Sequence, residues 1–195
     1  MGITAGMSIA QRMTRCPRAF DPEQGQATRA LFPDLVTQHS DLIAGAAGSS
    51  PYLRGLCQSE GDWIGEALEA PEACFETLLE TARSAPLDQV SQVLRQTKRR
   101  VALITALADL SGVWALPQVT TRLSRFADLA VHMALRAAIT QEVRRGKIPG
   151  QTEADLEVAG GMVVLAMGKM GAGELNYSSD IDLICLFDET RFEAH

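Results

Sequence analysis

MVVLAMGKMGAGELNYSSDIDLICLF, residues 162–187, decides how this chain is read. It opens on an apolar run of strand length, Met162 to Met167. Gly168, Gly171 and Gly173 follow, and a second strand-length apolar run, Ile181 to Phe187, closes the stretch. Asp180 and Asp182 sit at the mouth of that second run. Residues i and i+2 of a strand project to the same side. The two carboxylates are therefore expected together, with Ile181 and Leu183 facing the other way. Like charges so close repel unless a cation lies between them. Hard oxygen ligands in small number suit Mg²⁺, which keeps waters and completes its shell with substrate phosphates.

The glycines before the aspartates let backbone N–H groups approach phosphate oxygens. Lys169 adds a point charge, and Ser178 and Ser179 bring hydroxyls beside the metal position. A D-x-D pair alone is also what a solvated turn at a strand start looks like, and glycines are common in any turn. The combination carries more: an apolar strand, a glycine loop, then D-x-D opening a second apolar strand.

Upstream the texture is helical. Val90, Val93, Leu94, Thr97, Val101, Ile104 and Ala108 follow one helical face over about 87–111, and Gly112 stands where a left-handed cap belongs. A second long helix is predicted over about 119–145, with Leu123, Phe126, Ala127, Ala130, Ala134 and Ala137 as its buried stripe and Gly146 and Pro149 ending it. A short loop containing Pro117 makes the two antiparallel neighbours. Ser50-Pro51 and Pro71 read as starts of shorter helices. Residues 1–50 read as mixed, ending in the loose Ala46-Ala-Gly-Ser-Ser50. The expected organisation is a helical region over 1–157 and the start of an incomplete α/β unit over 158–195. Two strands cannot bury both faces of a sheet. The sequence is accordingly expected to be a fragment, or the lead part of a longer polypeptide.

With 46% hydrophobic and 22% charged residues, the composition is that of a soluble globular protein. A net charge of −6 argues against nucleic acid or an acidic membrane as partner of the whole molecule. No apolar run approaches the roughly 18 residues of a membrane-crossing helix, and a cytoplasmic location is expected. Cys16, Cys57, Cys74 and Cys185 form no metal-binding spacing with each other or with His39, His132 and His195, so free thiols are expected. Cys185, inside an apolar run, is read as a core residue. Trp63 and Trp114 are read as packing residues, Met162, Met167 and Met170 as core and loop, and Lys98-Arg99-Arg100 as a solvated helix face.

Eleven residues separate Gly168 from Asp180. That spacing, ending in Asp180-x-Asp182, resembles the signature of the nucleotidyltransferase superfamily related to DNA polymerase β. The longer string VVLAMGKMGAGELNYSSDIDLICLFDE resembles the glutamine synthetase adenylyltransferase family. Ser50-Pro-Tyr-Leu-Arg54, Leu94-Arg-Gln-Thr-Lys-Arg-Arg100 and Ala108-Asp-Leu-Ser-Gly112 are similar to further motifs of that family. The resemblance implies an α+β fold: a mostly helical N-terminal region followed by the first two strands of a DNA-polymerase-β-like mixed sheet, truncated. It implies Asp180 and Asp182 as catalytic metal ligands for Mg²⁺, with Gly168, Lys169, Ser178 and Ser179 around nucleotide or phosphate. It also implies glutamine synthetase as protein substrate, ATP, ADP and phosphate as small reactants, and a PII signalling protein as a further partner. The wording Glu174-Leu-Asn-Tyr-Ser-Ser-Asp-Ile-Asp-Leu183 is similar to the family's N-terminal half, which removes AMP from a tyrosine by phosphorolysis. The ATP-dependent adenylylating half and a non-catalytic docking module are the alternatives. The family's third metal carboxylate belongs to a motif that is absent from this sequence, so this stretch alone is expected to be inactive.

Overall fold

A computed structural model of the chain describes residues 6–148 and 150–191. Pro149, one of the two residues expected to end the second long helix, lies outside them.

Local sequence sets most helix starts. Helix α1 (Ile9–Arg12) begins with a reciprocal cap: Gln11 N–H donates to the Ser8 hydroxyl, and Ser8 N–H to the Gln11 amide oxygen. Before α2 (Pro22–Arg29), the Asp21 carboxylate accepts from Gln24 N–H. Helix α3 spans Thr37–Ser49. The Ser50 hydroxyl then caps α4 (Pro51–Ser59), with Pro51 in the first turn as expected. Helices α5 (Gly61–Glu69) and α6 (Pro71–Arg83) follow. The two long helices are α7 (Val90–Leu110) and α8 (Leu116–Arg144). Pro117 belongs to the first turn of α8 instead of the connecting loop.

Glycine closes both long helices in the left-handed conformation, Gly112 at φ +73° and Gly146 at φ +69°. Each end carries the paired bonds of a Schellman motif. Val113 N–H reaches Ala108 O while Gly112 N–H reaches Asp109 O; Lys147 N–H reaches Glu142 O while Gly146 N–H reaches Val143 O. The end of α7 has a second cap from far away in sequence. Thr14 and Arg15 N–H groups donate to Ser111 O, and the Arg15 guanidinium donates to Leu110 O and Asp109 O.

Residues 8–49, read as mixed, carry three helices, α1, α2 and α3, joined by the non-helical segments 13–21 and 30–36. Ala46 and Ala47 are buried in the last turns of α3, so this stretch is packed helix instead of loose chain. The small residues are there for close approach. A methyl group on Gly25 would sit 2.6 Å from Ala44 O, and one on Gly48 would sit 2.6 Å from Asp21 O. One on Gly45 would collide with Pro17 O. Backbones this close leave no periodic run of large apolar residues to read.

The core joins these helices through Leu42, Ile43, Ile64, Leu68, Phe75 and Ile104, all fully or almost fully buried. The inward face of α7 is as expected, and its last turns are buried on further sides at Leu103, Thr105 and Leu107. The stripe of α8 holds through Leu123, Phe126 and Ala127 but then drifts. Ala134 is exposed, and Met133, Ile139 and Thr140 are buried in its place. Trp114 packs edge-on to Phe75 and donates its indole N–H to Glu72 Oε1 at 2.7 Å. Arg12 grips the same carboxylate with two bonds, of 2.9 and 3.0 Å.

Arg99 and Arg100 are more than a solvated face. Their Nε–H groups donate to the two oxygens of Glu60, at 2.7 and 2.8 Å, and Arg100 also lies over Trp63. The Glu60 side chain is only 2% exposed. Burial pushes its carboxyl upward, but the hydrogen bonds from Arg99 and Arg100 outweigh that and hold it below the ordinary value. A depressed carboxyl stabilises the fold above its unfolded value, near 4.3, and that contribution is lost as pH falls through the folded value. Glu60→Gln is expected to cost about 1–3 kcal/mol at neutral pH. Thermal melts from pH 7 to 3 should then show a shallower acid-side loss for the variant than for the parent.

The C-terminal end adds a two-stranded antiparallel sheet, so the architecture is α+β. Strand β1 (Met162–Ala166) pairs with β2 (Leu183–Phe187) in a register running from Met162↔Phe187 to Ala166↔Leu183. Short 3₁₀ segments flank the hairpin at Glu153–Gly161 and Glu189–Arg191. Every residue of β2 is exposed, Cys185 included, because no other layer covers that strand among the described residues. The expectation of a core Cys185 is thereby corrected. Cys57 and Cys74 are buried, and all four cysteines are free thiols.

Candidate metal and nucleotide site

The turn between the two strands is more ordered than a glycine-rich loop. Gly168–Gly171 form a four-residue helix, α9. Gly168 opens it at φ +56°. Gly171 has no room for a side chain, since a methyl group there would collide with Ala166 O. Gly173, at φ +72°, closes it with another Schellman motif: Glu174 N–H reaches Lys169 O and Gly173 N–H reaches Met170 O. Two of the three glycines expected to cradle phosphate therefore serve the turn itself. Gly168 alone remains at the exposed N-terminal side, next to exposed Lys169.

The aspartates precede the second strand instead of opening it. Strand β2 starts at Leu183, not Ile181, because Gly168 turns the partner chain into α9 and leaves nothing for earlier residues to pair with. One bond carries the pairing a step further, from Met167 N–H to Asp182 O at 2.9 Å. Asp182 thus stands at the strand mouth. A methyl group on Gly168 would lie 3.5 Å from its Oδ2, so the missing Cβ leaves open space at this carboxylate. Asp180 and Asp182 are both exposed, with Ser178 exposed and Ser179 half-buried beside them. The Ser179 hydroxyl is already engaged, donating to Asn176 Oδ1 at 2.6 Å.

The helices hold this turn from below. Met170 and Leu175 are buried in the same core cluster as the helical bundle. Leu175 N–H donates to the Ser124 hydroxyl of α8 at 3.1 Å, a buried bond. The Tyr177 hydroxyl donates to Asp109 Oδ2 on α7 at 3.3 Å. Burial pushes the Tyr177 phenol upward and the Asp109 charge adds to the shift, so the hydroxyl keeps its proton and remains a donor. Neither Asp109 nor Ser124 stood out in the sequence as a site residue. Asp109 lies within the Ala108–Gly112 family motif, which marked the place but gave it no role.

A cavity of about 350 Å³ lies between α8 and the hairpin, lined in part by Val131, Leu135, Val158 and Leu183. Its lining is mainly apolar, with Asp128 and His132 among it, and includes neither Asp180 nor Asp182. The donor set at the strand mouth is two hard, exposed carboxylates. Among the described residues no group of three or more His, Cys, Asp or Glu converges on one point. Such a set fits a cation that draws the rest of its shell from water and phosphate oxygens, as Mg²⁺ does.

Residues 34–194 match the family model of glutamate-ammonia ligase adenylyltransferase. The chain belongs to that family. Several relatives are each named bifunctional glutamine synthetase adenylyltransferase/adenylyl-removing enzyme. The relative from Rhodopseudomonas palustris (strain BisB5) is 46% identical over 203 residues, which is 93% of this chain and 20% of that protein. The relative from Bradyrhizobium diazoefficiens is 44% identical over 193 residues, 95% of this chain and 19% of that protein. The relative from Caulobacter vibrioides is 36% identical over 194 residues, 92% of this chain and 19% of that protein. The chain thus spans about a fifth of the length of these adenylyltransferase relatives. No solved structure matches it. Among the described residues no helix is long and apolar enough to cross a membrane.

Proposed function

We propose that this chain carries part of the adenylyl-removing site of a glutamine synthetase adenylyltransferase. The substrate would be glutamine synthetase bearing AMP on a tyrosine, and the co-substrate inorganic phosphate. The observation that carries the reading is Asp182, set by the strand ladder against the side-chain-free Gly168, with Asp180 two residues before it. The Glu174–Leu183 wording, similar to the family's N-terminal half, favours removal over addition.

In this reading a phosphate oxygen attacks the phosphorus of the AMP group in line with the tyrosine oxygen. The phosphorus–tyrosine bond breaks, ADP leaves, and the phenolate takes up a proton. Asp180 and Asp182 are the residues that would hold Mg²⁺. When bound, the ion withdraws charge from the attacking and leaving oxygens. Gly168 leaves space for phosphate oxygens beside Asp182, and Lys169 offsets negative charge at the rim. No protein nucleophile is required. The wider partners are glutamine synthetase, phosphate, ADP, ATP for the opposite reaction, and a PII protein for control, in the cytoplasm.

The test is product analysis. A full-length polypeptide carrying this sequence, given adenylylated glutamine synthetase, Mg²⁺ and phosphate, is expected to release ADP, and nothing when phosphate is omitted. Free AMP as product, or release independent of phosphate, would rule the reading out. The 195-residue chain alone is expected to show no measurable release, because among the described residues no third His, Cys, Asp or Glu joins the two carboxylates.

A further inference from the structure

We propose that Asp109 is a positioning residue for this site: by accepting the Tyr177 hydroxyl, it ties the span carrying Asp180 and Asp182 to the end of α7. The inference rests on the metal reading of those two aspartates.

The span in question runs from Asn176 to Asp182. It leaves the core at Leu175, whose side chain is buried and whose N–H is held by Ser124. It rejoins regular structure at the Met167–Asp182 bond. Between those points its side chains are mostly exposed, Asp180 and Asp182 included. A span with few buried contacts opens readily, so its order depends on discrete ties. Within it, the Asn176–Ser179 turn is stiffened locally by the Ser179–Asn176 bonds. The tie to the helices is Tyr177, three residues before Asp180.

Asp109 is well placed to be the fixed end. It sits in the last turn of α7, where neighbouring Ala108 and Leu107 are buried. Its two oxygens are divided between two partners from opposite ends of the sequence. Oδ2 takes the Tyr177 hydroxyl at 3.3 Å and Oδ1 faces the Arg15 guanidinium at 3.4 Å. Arg15 also holds Asp109 O at 2.6 Å and Leu110 O at 3.2 Å, which limits the rotation of this turn. A carboxylate held on one side by a cation presents its other oxygen in a set direction. That direction meets the tyrosine on the metal-bearing span. Asp109 touches no reacting atom in this arrangement; it acts through Tyr177.

The experiment compares Tyr177→Phe, Asp109→Ala, Asp109→Asn, the Tyr177→Phe/Asp109→Ala pair and Asp180→Asn in the full-length protein. Hydrogen exchange of amides 176–182 is read beside kcat and KM for phosphate-dependent ADP formation. A single hydrogen bond of ordinary strength predicts a rise in exchange of about 3- to 10-fold in Tyr177→Phe and Asp109→Ala. Exchange in α7 and α8 should stay unchanged, and kcat should fall by a similar factor with KM for phosphate nearly constant. The pair should do no more than the larger single change. Asp109→Asn keeps an acceptor oxygen and should recover most of the loss. Unchanged exchange over 176–182 in Tyr177→Phe would overturn the proposal, and so would a rise that spreads equally through α7 and α8. Asp180→Asn separates the two readings. If it leaves ADP formation intact, the metal assignment fails, while the exchange data still decide whether Asp109 holds the span.

Discussion

Asp182→Asn is expected to lower phosphate-dependent ADP formation by about 1000-fold without unfolding the protein. The size follows from what the carboxylate does in the proposed site. A metal ion contributes several kcal/mol of charge stabilisation in the transition state, and about 4 kcal/mol is three orders of magnitude in rate. Asparagine keeps the shape and one oxygen but removes the charge that holds the cation. The fold should tolerate it, because Asp182 joins the ladder through its carbonyl, not its side chain, and the side chain is exposed. The melting temperature should therefore stay within about one degree of the parent, as for surface changes generally. ATP-dependent adenylylation of glutamine synthetase by the same full-length variant should continue at the parental rate. An equal fall in both activities would show that the assignment to the removing reaction is wrong.

Gly45→Ala is expected to destabilise the protein by about 2–4 kcal/mol, while Gly55→Ala stabilises it by up to about 1 kcal/mol. The same chemical change in two helices takes opposite signs for a stated reason. Alanine is the better helix former by about 0.8–1 kcal/mol, and at Gly55 in α4 no atom lies within 4 Å of the added methyl. At Gly45 the methyl would meet the backbone of Pro17, which cannot swing away like the tip of a side chain. Either α3 shifts or residues 14–18 lift off. Overpacking a close contact costs about 1–3 kcal/mol, occasionally more, and lifting that segment also strips Thr14 and Arg15 from the end of α7. Chemical denaturation of both variants with a shared slope would check the signs. A neutral Gly45→Ala would mean that this crossing is looser than its geometry states.

The long helices and the two strands were legible because their signals are local, while the antiparallel pairing of the strands was not. The face of α7 repeats at helical spacing, and Gly112 and Gly146 fulfil their expected cap roles because a left-handed terminus favours glycine. The proline-led starts at Pro51 and Pro71 were legible for a similar reason. Helix α3 was not, since Ala46-Ala-Gly-Ser reads as loop until Pro17, Ala19 and Gly25 are seen pressed against it. At the candidate site, the D-x-D spacing singled out Asp180 and Asp182, and strand pairing set where they stand. Their place just ahead of β2, not within it, follows from where Gly168 diverts the neighbouring strand. The glycines were read for phosphate, yet Gly171 and Gly173 are spent on building α9. The Tyr177–Asp109 tie joins residues 68 positions apart. No window on the sequence spans it.

The cap on α7 has a consequence for how the chain is made. Arg15 emerges from the ribosome 95 residues before Leu110, the carbonyl it must reach. At ordinary elongation rates that gap is about 5–20 s. Helix α1, which packs on α3 and α5, can dock sooner, so Thr14 and Arg15 are the residues left waiting for the end of α7. Thr14 and Arg15, made early, are thus secured late, and their docking reports that α7 has been completed. A nascent chain halted before Ser111 should leave the Arg15–Cys16 bond open to trypsin, and one extended past α8 should protect it.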